Sequence, residues 1–394
     1  MSLGELKLPI THPLRNVGRS DVWHLTSNYF PDVDESERFV YPPLNDPDPL
    51  DRALAERLLG VYLRMDEHQQ RHIEPQDRPA SGVWEMFKHE YHGELYRLLH
   101  DRDVDGLMHY MRAGFRKGIA QGVGGGENTY NQMVNSPHGE GNRLILMKDR
   151  AISLAMAIGA LPYENPEQGI YGEHCGKSFR ELVDLIEARL GIEIVRPSIM
   201  GIYGVALGNG LLDFKATDDA YCVHRMSALL GSRETSIAEI GGGFGGSAFQ
   251  ALRCGFRRYA IFDLPTVNLL QGYFLCRTFG PDNVGMFGED ADDRIIQVQP
   301  WWEFYNEKRS YDLVYNRDSL PEIPERQAVD YLNEIRRREI PFLSINQEGK
   351  ALAGQPDLHQ LSVNELASNS GLSARTRFPY WLRRGYVEET YDPV

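Results

Sequence analysis

At 394 residues the chain is long enough for two or three folding units around a sizeable core. Its 42% apolar and 25% charged residues are those of an ordinary globular protein, not a disordered one. A formal charge of -14 argues against a nucleic-acid backbone or an anionic membrane as the main partner, because each demands a concentrated positive face.

The first residues, MSLGELKLPITHPL, lack the basic and apolar regions of a signal peptide, and no long apolar run follows, so a cytoplasmic protein with no membrane insertion is expected. Apolar residues recur at helical spacing through Leu54, Leu58, Val61 and Met65, then Trp84, Phe87, Tyr91 and Leu95. This predicts a helical N-terminal region over about 49–117. His89 and His92 in HEYH do not make a zinc-protease motif and read as packing or surface residues.

The polar, glycine-rich segment from Gly122 to Arg143 reads as a long loop, and long polar loops are more often functional than structural. Within it Tyr130, Asn131, His138 and Arg143 supply the donors and acceptors that hydroxyl-rich recognition needs, and His138 could also serve as a base. Helices are predicted at about 149–160 and 179–190, the second ended by Gly191. IEIVRPSIMG and YGVALGNGLLDFKATD read as short strands, with a hairpin turn at Gly208 to Gly210. Cys175, Cys222, Cys254 and Cys276 have no metal-binding spacing and read as reduced thiols.

After Tyr221 strands alternate with helices, the mark of a parallel sheet. The expected strands are 237–241, 259–265, 284–289, 294–301, 311–318 and 341–348, with a helix at QAVDYLNEIRRR and a closing strand pair in FPYWLRRGYVEETY. Arg336 to Arg338 read as a solvated helix face. The chain therefore divides into a mainly helical region, 1–220, with short strands near 192–216, and an α/β domain, 221–394.

The stretch IAEIGGGFGGSAFQ carries the chemistry. A strand followed by so many residues without a Cβ points to ligand approach, a tight turn or close helix packing. Gly241, Gly243 and Gly246 fit GxGxxG, while Glu239, Gly241, Gly243 and Gly245 fit ExGxGxG. Asp263 closes the next strand 20 residues past Gly243, where a carboxylate accepts hydrogen bonds from ribose hydroxyls. Glu239 favours S-adenosylmethionine over a dinucleotide, since a carboxylate beside the loop would repel pyrophosphate but can serve a cationic amino-acid end.

The run EIGGGFGGSAFQALRCGFRRYAIFDLPTVNLLQGYFL, followed by FGED, DLVYNRDSLPEIP and FLSINQE, resembles the bacterial sugar O-methyltransferase family. The segments LGIEIVRPSIMGIYGVALGNGLL and HRMSALL are similar to what precedes the catalytic domain there, so the likeness spans about 127–394. The resemblance implies a Rossmann-like class I methyltransferase sheet, S-adenosylmethionine as cofactor, and a sugar hydroxyl of a polysaccharide precursor or glycosylated natural product as acceptor. It places the methionine portion on Glu239, Gly241, Gly243 and Gly245 and the ribose on Asp263. Glu289 would stand near adenine, unless 294–301 is the third strand, which puts Trp301 there.

Ligands of parallel α/β sheets meet at the carboxyl ends of the strands. That selects Asn316, Asp318, Ser319 and Glu322 in NRDSLPE, with Asp318 as first candidate for the base or hydroxyl acceptor and Glu322 as second. Asn316 falls beside the cofactor and Ser319 and Asn346 beside the acceptor, while Asn346 and Glu348 could complete the pocket or bind a divalent ion. The acidic run EDADDR, 289–294, has the oxygen chemistry of a magnesium site but also that of a solvated turn. An NAD(P)-dependent sugar oxidoreductase and a non-catalytic protein that keeps the cofactor fold are the competing readings. The sequence is compatible with a homo-oligomer without specifying one.

Overall fold

The computed structural model describes residues 33–393, apart from positions 35, 76–77, 79–82, 170–171, 291–292, 349–350 and 353–354. Near the N-terminal side lies a small antiparallel sheet of β1 (Phe39–Val40), β2 (Gly204–Leu207) and β3 (Gly210–Leu212). The β2–β3 turn falls at Gly208 and Asn209, as the hairpin pattern predicts. IEIVRPSIMG is not a strand: only Arg196 forms a bridge, to Leu211, and Pro197, which has no N–H to donate, follows it.

The main sheet contains β4 (Ser236–Ile240), β5 (Arg258–Asp263), β6 (Val284–Met286), β7 (Ile296–Pro300), β8 (Leu313–Arg317) and β9 (Phe342–Gln347). A separate two-stranded hairpin, β10 (Ala351–Leu352) and β11 (Gln355–His359), precedes the last two strands, β12 (Leu372–Pro379) and β13 (Tyr386–Pro393). The eight-stranded order is β12-β13-β9-β8-β4-β5-β7-β6. Strands β4 to β9 pair in parallel, whereas β13 runs antiparallel to both β9 and β12. This is the α/β, Rossmann-like arrangement expected, and all five residues of β4 are buried because helices cover both faces.

The order reverses at β4: β5 and β7 lie to one side, β8 and β9 to the other. Such a switch point leaves a crevice beyond the carboxyl ends of the central strands. The register extends it, because Asp263 pairs with Pro300 at the end of β7 and Ile240 pairs with Asn316 near the end of β8.

Helix Pro265–Phe279 is buried without interruption from Thr266 to Cys276, so it has no solvent face. The sheet covers one side and helix Pro49–His72 the other, with Tyr273 donating to Asp51 at 2.5 Å. Leu58 on the outer helix is 1% exposed, and its truncation to alanine would cost roughly 2–5 kcal/mol. Position 220/221 lies inside helix Ala216–Leu230, and one continuous hydrophobic cluster joins the N-terminal helices to the sheet.

The expected loop at 122–143 is largely helical. Gly126, at φ 111, opens helix Glu127–Asn135, and Ser136 caps helix Pro137–Ala157 by accepting from the Gly139 amide at 3.1 Å. Proline at the first helical position fits that start, and the polar composition hid the helices because their outward faces need few apolar residues. The four cysteines are free and buried. Arg336 and Arg337 end helix Glu325–Arg337, where positive charge is favourable.

Candidate active site

A cavity lies at the switch point, lined by Gly241, Gly242, Gly243 and Gly246 from the loop after β4, by Asp263 after β5 and by Trp301 after β7. Arg317, Asp318, Ser319 and Glu322 line its opposite wall, and Trp84, Val123 and Lys215 reach in from the N-terminal region. Gly241 adopts φ 69, and a Cβ there would collide with the Ser319 side chain. At Gly246 a Cβ would strike the Asp219 carboxylate, which lies beneath the loop. These two positions therefore require glycine for close approach. Gly245 is placed differently: it begins helix Gly246–Arg253 at φ 93 and is backed by Leu275 instead of lining the cavity.

Asp263 accepts from the Leu264 amide and from Gln271 Nε2, both at 2.7 Å, and the same Gln271 nitrogen donates to the Gly243 carbonyl at 2.8 Å. Gln271 thus ties the glycine loop to the acidic end of β5. Burial pushes the Asp263 carboxyl up to about 7 despite those hydrogen bonds. Glu239 is 3% exposed and lines the cavity floor, where it accepts from the Tyr259 hydroxyl at 3.0 Å. Its burial outweighs the nearby Arg317 charge and raises its pKa to about 8, so it is largely protonated at neutral pH.

On the opposite wall, Asp318 has φ 62, a left-handed conformation that aspartate tolerates better than most residues. Its carboxylate pairs with Lys215 at 3.1 Å and Arg383 at 3.3 Å. Burial acts to raise its pKa, but those two cations and Arg317 prevail and hold it far below the usual carboxylate range. A carboxylate so firmly ionised is a poor proton acceptor. Glu322 is the opposite case: burial and the negative charge of Asp318 push it up to about 7, while the Trp84 indole donates to it at 3.1 Å. Of the two, Glu322 is the one that can take up a proton near neutral pH.

Glu289 is not at the cavity. It binds Arg57 through both carboxylate oxygens, at 2.7 and 2.6 Å, and β7 stands between β6 and β5. The third strand beside β5 is therefore β7, which brings Trp301 into the cavity wall with its buried indole N–H unpartnered.

Asn316 is fully buried and does not line the cavity. It donates to the Ile240 carbonyl at 2.7 Å and to Ser319 Oγ, holding the ends of β4 and β8 together. Asn346 is likewise buried, donating to Asn316 Oδ1 at 2.8 Å. Both are structural supports, as period-two alternation turned their side chains into the sheet packing. Ser319 lines the cavity, but its hydroxyl also donates to the Ile240 carbonyl, at 3.0 Å. Glu348 is outside the cavity lining and pairs with Arg377 at 2.5 Å.

Tyr130 packs with Tyr41 and Tyr203, with ring centroids 5.8 and 5.6 Å away, while Asn131 is exposed on its helix. Arg143 lines a small notch next to the main cavity, 4.0 Å above the Phe214 ring. His138 lies in helix Pro137–Ala157, and its side chain is outside the described residues. His89 is exposed, whereas His92 is buried with both ring nitrogens unpartnered, and burial lowers its pKa to about 4. Among the described residues, no group of three or more His, Cys, Asp or Glu could hold a metal ion, and no helix is long and apolar enough to cross a membrane. Positions 291–292 of the acidic run lie outside the described residues.

Gln271, Lys215, Trp84 and Arg383 were absent from the sequence-based candidates. Asp318 and Lys215 are 103 residues apart in the chain, and Trp84 and Glu322 are 238 apart, so no local spacing could have joined them. The pattern that put Trp301 at the end of a strand was the one available signal.

No protein-family model and no curated protein sequence matches the chain, so the resemblance to sugar O-methyltransferases rests on the quoted residues. Solved structures similar to it include the pyocyanin biosynthetic protein PhzM, at 13% identity and a TM-score of 0.34, over 46% of this chain and 56% of PhzM. Magnesium protoporphyrin IX methyltransferase from Synechocystis PCC 6803 with bound SAM is 13% identical over 47% of this chain and 85% of its own, with a TM-score of 0.32. The glycopeptide N-methyltransferase MtfA complexed with sinefungin is 14% identical over 43% and 91%, with a TM-score of 0.33. The chain spans just over half the length of PhzM. Likeness at this level adds nothing to what the sheet order states directly.

Proposed function

We propose that the protein is an S-adenosylmethionine-dependent methyltransferase that acts on a hydroxyl, with a sugar or glycoside as acceptor. The observation that carries the reading is the convergence of a Cβ-free loop, Asp263 and Glu322 on one cavity at the switch point. The cavity fits the cofactor chemically. Bare backbone at Gly241 to Gly243 admits its methionine portion, Asp263 accepts from its ribose, and the unpartnered Trp301 indole stands where an adenine would pack. Glu239 supplies a carboxyl that can ionise when a cationic amino group arrives. An NAD(P) reading meets one obstacle: the sheet ends in an antiparallel pair instead of a second mononucleotide half.

When bound, S-adenosylmethionine supplies an electrophilic methyl group on sulfonium. Glu322 would accept the proton of the acceptor hydroxyl, leaving its oxygen free to act as the nucleophile. Asp318, fixed by Lys215 and Arg383, is suited to hold and orient the hydroxyl without taking its proton. Trp84 and Val123 line the cavity from the N-terminal side. Incubation with a labelled methyl donor and a panel of nucleotide sugars and glycosides tests the proposal. Label in a sugar ether is expected, whereas label confined to nitrogen or carbon acceptors contradicts the O-methyl reading.

A further inference from the structure

Beside the cavity the buried cations are matched by carboxylates. Arg150 pairs with Asp218 at 3.0 Å, Arg317 with Asp219 at 2.5 Å, and Arg196 with Asp213 and Asp219. Lys215 and Arg383 share Asp318. Each of these cations has a carboxylate. Arg143 does not: no described carboxylate lies within ion-pair distance, and its guanidinium stacks on Phe214, whose ring also carries Arg150 at 4.2 Å. Burial, together with the charges of Arg150 and Arg383, lowers its pKa to about 10, yet it stays charged at neutral pH.

The notch that Arg143 lines contains about 10 Å³, room for a single water or ligand oxygen. Tyr203 lines it too, and its hydroxyl is buried without a hydrogen-bond partner. The neighbouring Tyr41 hydroxyl is also buried and unpartnered. Asp213 is the carboxylate on the notch, but its oxygens are occupied by Arg196 and by the Lys215 amide. The notch lies close to the main cavity in the chain: Phe214 lines the notch and its neighbour Lys215 lines the cavity, as do Gly124 and Val123 respectively. An unmatched guanidinium and an unmatched hydroxyl donor therefore meet at a one-oxygen notch next to the proposed reaction centre, in a protein of formal charge -14.

We propose that the acceptor carries an anionic group, a carboxylate or a phosphate, and that one of its oxygens seats in this notch against Arg143 and Tyr203. Guanidinium is the donor best matched to both anions. The inference rests on the methyltransferase reading and narrows its acceptor to an acidic sugar or sugar phosphate.

The test is calorimetric titration of the full chain, with S-adenosylhomocysteine bound, using inorganic phosphate, acetate, D-glucuronate, D-glucose 6-phosphate and methyl glucoside. At least one of the two simple anions should bind the wild type. Arg143→Gln should weaken that binding by about tenfold or more, and Arg143→Lys by less. S-adenosylhomocysteine affinity should be equal in all three proteins, which also reports that each is folded. Of the sugars, preference for glucose 6-phosphate identifies a phosphate site and preference for glucuronate a carboxylate site. Failure of both simple anions to bind, binding unchanged in Arg143→Gln, or methyl glucoside binding as well as the charged sugars would overturn the proposal. If S-adenosylhomocysteine itself does not bind the wild type, the methyltransferase reading has failed instead.

Discussion

The two walls of the cavity are built on different principles. The wall proposed for the cofactor comes from one continuous run, in which Glu239, the glycine loop, Asp263 and Gln271 fall within a single strand–helix–strand–helix unit. The wall proposed for the acceptor gathers Trp84, Lys215, Asp318 and Glu322 from across the chain, with Arg383 paired to Asp318 behind it. Local backbone geometry dictates the first, and long-range electrostatics the second. The lesson is that nearby charges, not residue type, assign roles on the acceptor wall: Asp318 and Glu322 are carboxyls four residues apart, yet one is held ionised and the other is pushed towards neutrality.

The largest expected effect breaks the acceptor wall alone. Glu322→Gln should lower kcat by roughly 100- to 10,000-fold while leaving S-adenosylhomocysteine affinity unchanged in a calorimetric titration. Breaking the cofactor wall should do the reverse. Asp263→Ala is expected to weaken S-adenosylhomocysteine by roughly 10- to 100-fold, the loss of hydrogen bonds to a charged group, with a smaller change in kcat at saturation.

The comparison is sharpened by pH. A base must be deprotonated, so the wild-type rate should rise with pH through about 7, the Glu322 value. Asp318→Asn removes the negative charge that raises Glu322 and should move the midpoint down. Trp84→Phe removes a donor that favours the ionised form and should move it up. Rate profiles of the three proteins decide the point, because a purely structural role for Asp318 or Trp84 would lower rates without opposite midpoint shifts.

The smallest effect concerns stability. Glu239 titrates near 8 when folded, against 4.5 for the free side chain, so the folded state retains a proton that the unfolded state loses between those values. Its contribution to stability therefore declines as pH rises through that window. Glu239→Gln should flatten this decline, and its melting temperature relative to the wild type should increase from pH 5 to pH 8.

The legible parts of the molecule follow the same division. The parallel strands were readable because buried strands and their glycine turns are local signals, and Asp263 followed from its spacing. Asn316 and Asn346 were misplaced because a polar residue in a strand does not reveal which polar neighbours will satisfy it. Of the two alternatives for the third strand, the structure selects the one that puts Trp301 at the cavity, because β6, and Glu289 after it, joins the sheet outside β7. The helical stretch at 127–143 was hidden by a polar, glycine-rich composition that partly exposed helices share with loops.

The most direct measurement is titration of the purified protein with S-adenosylhomocysteine and, separately, NADH, followed by calorimetry. One S-adenosylhomocysteine per chain, with affinity reduced in Asp263→Ala and no heat from NADH, is the predicted result. Binding of NADH in its place, or S-adenosylhomocysteine bound equally well without the Asp263 carboxylate, would contradict the assignment of the cavity.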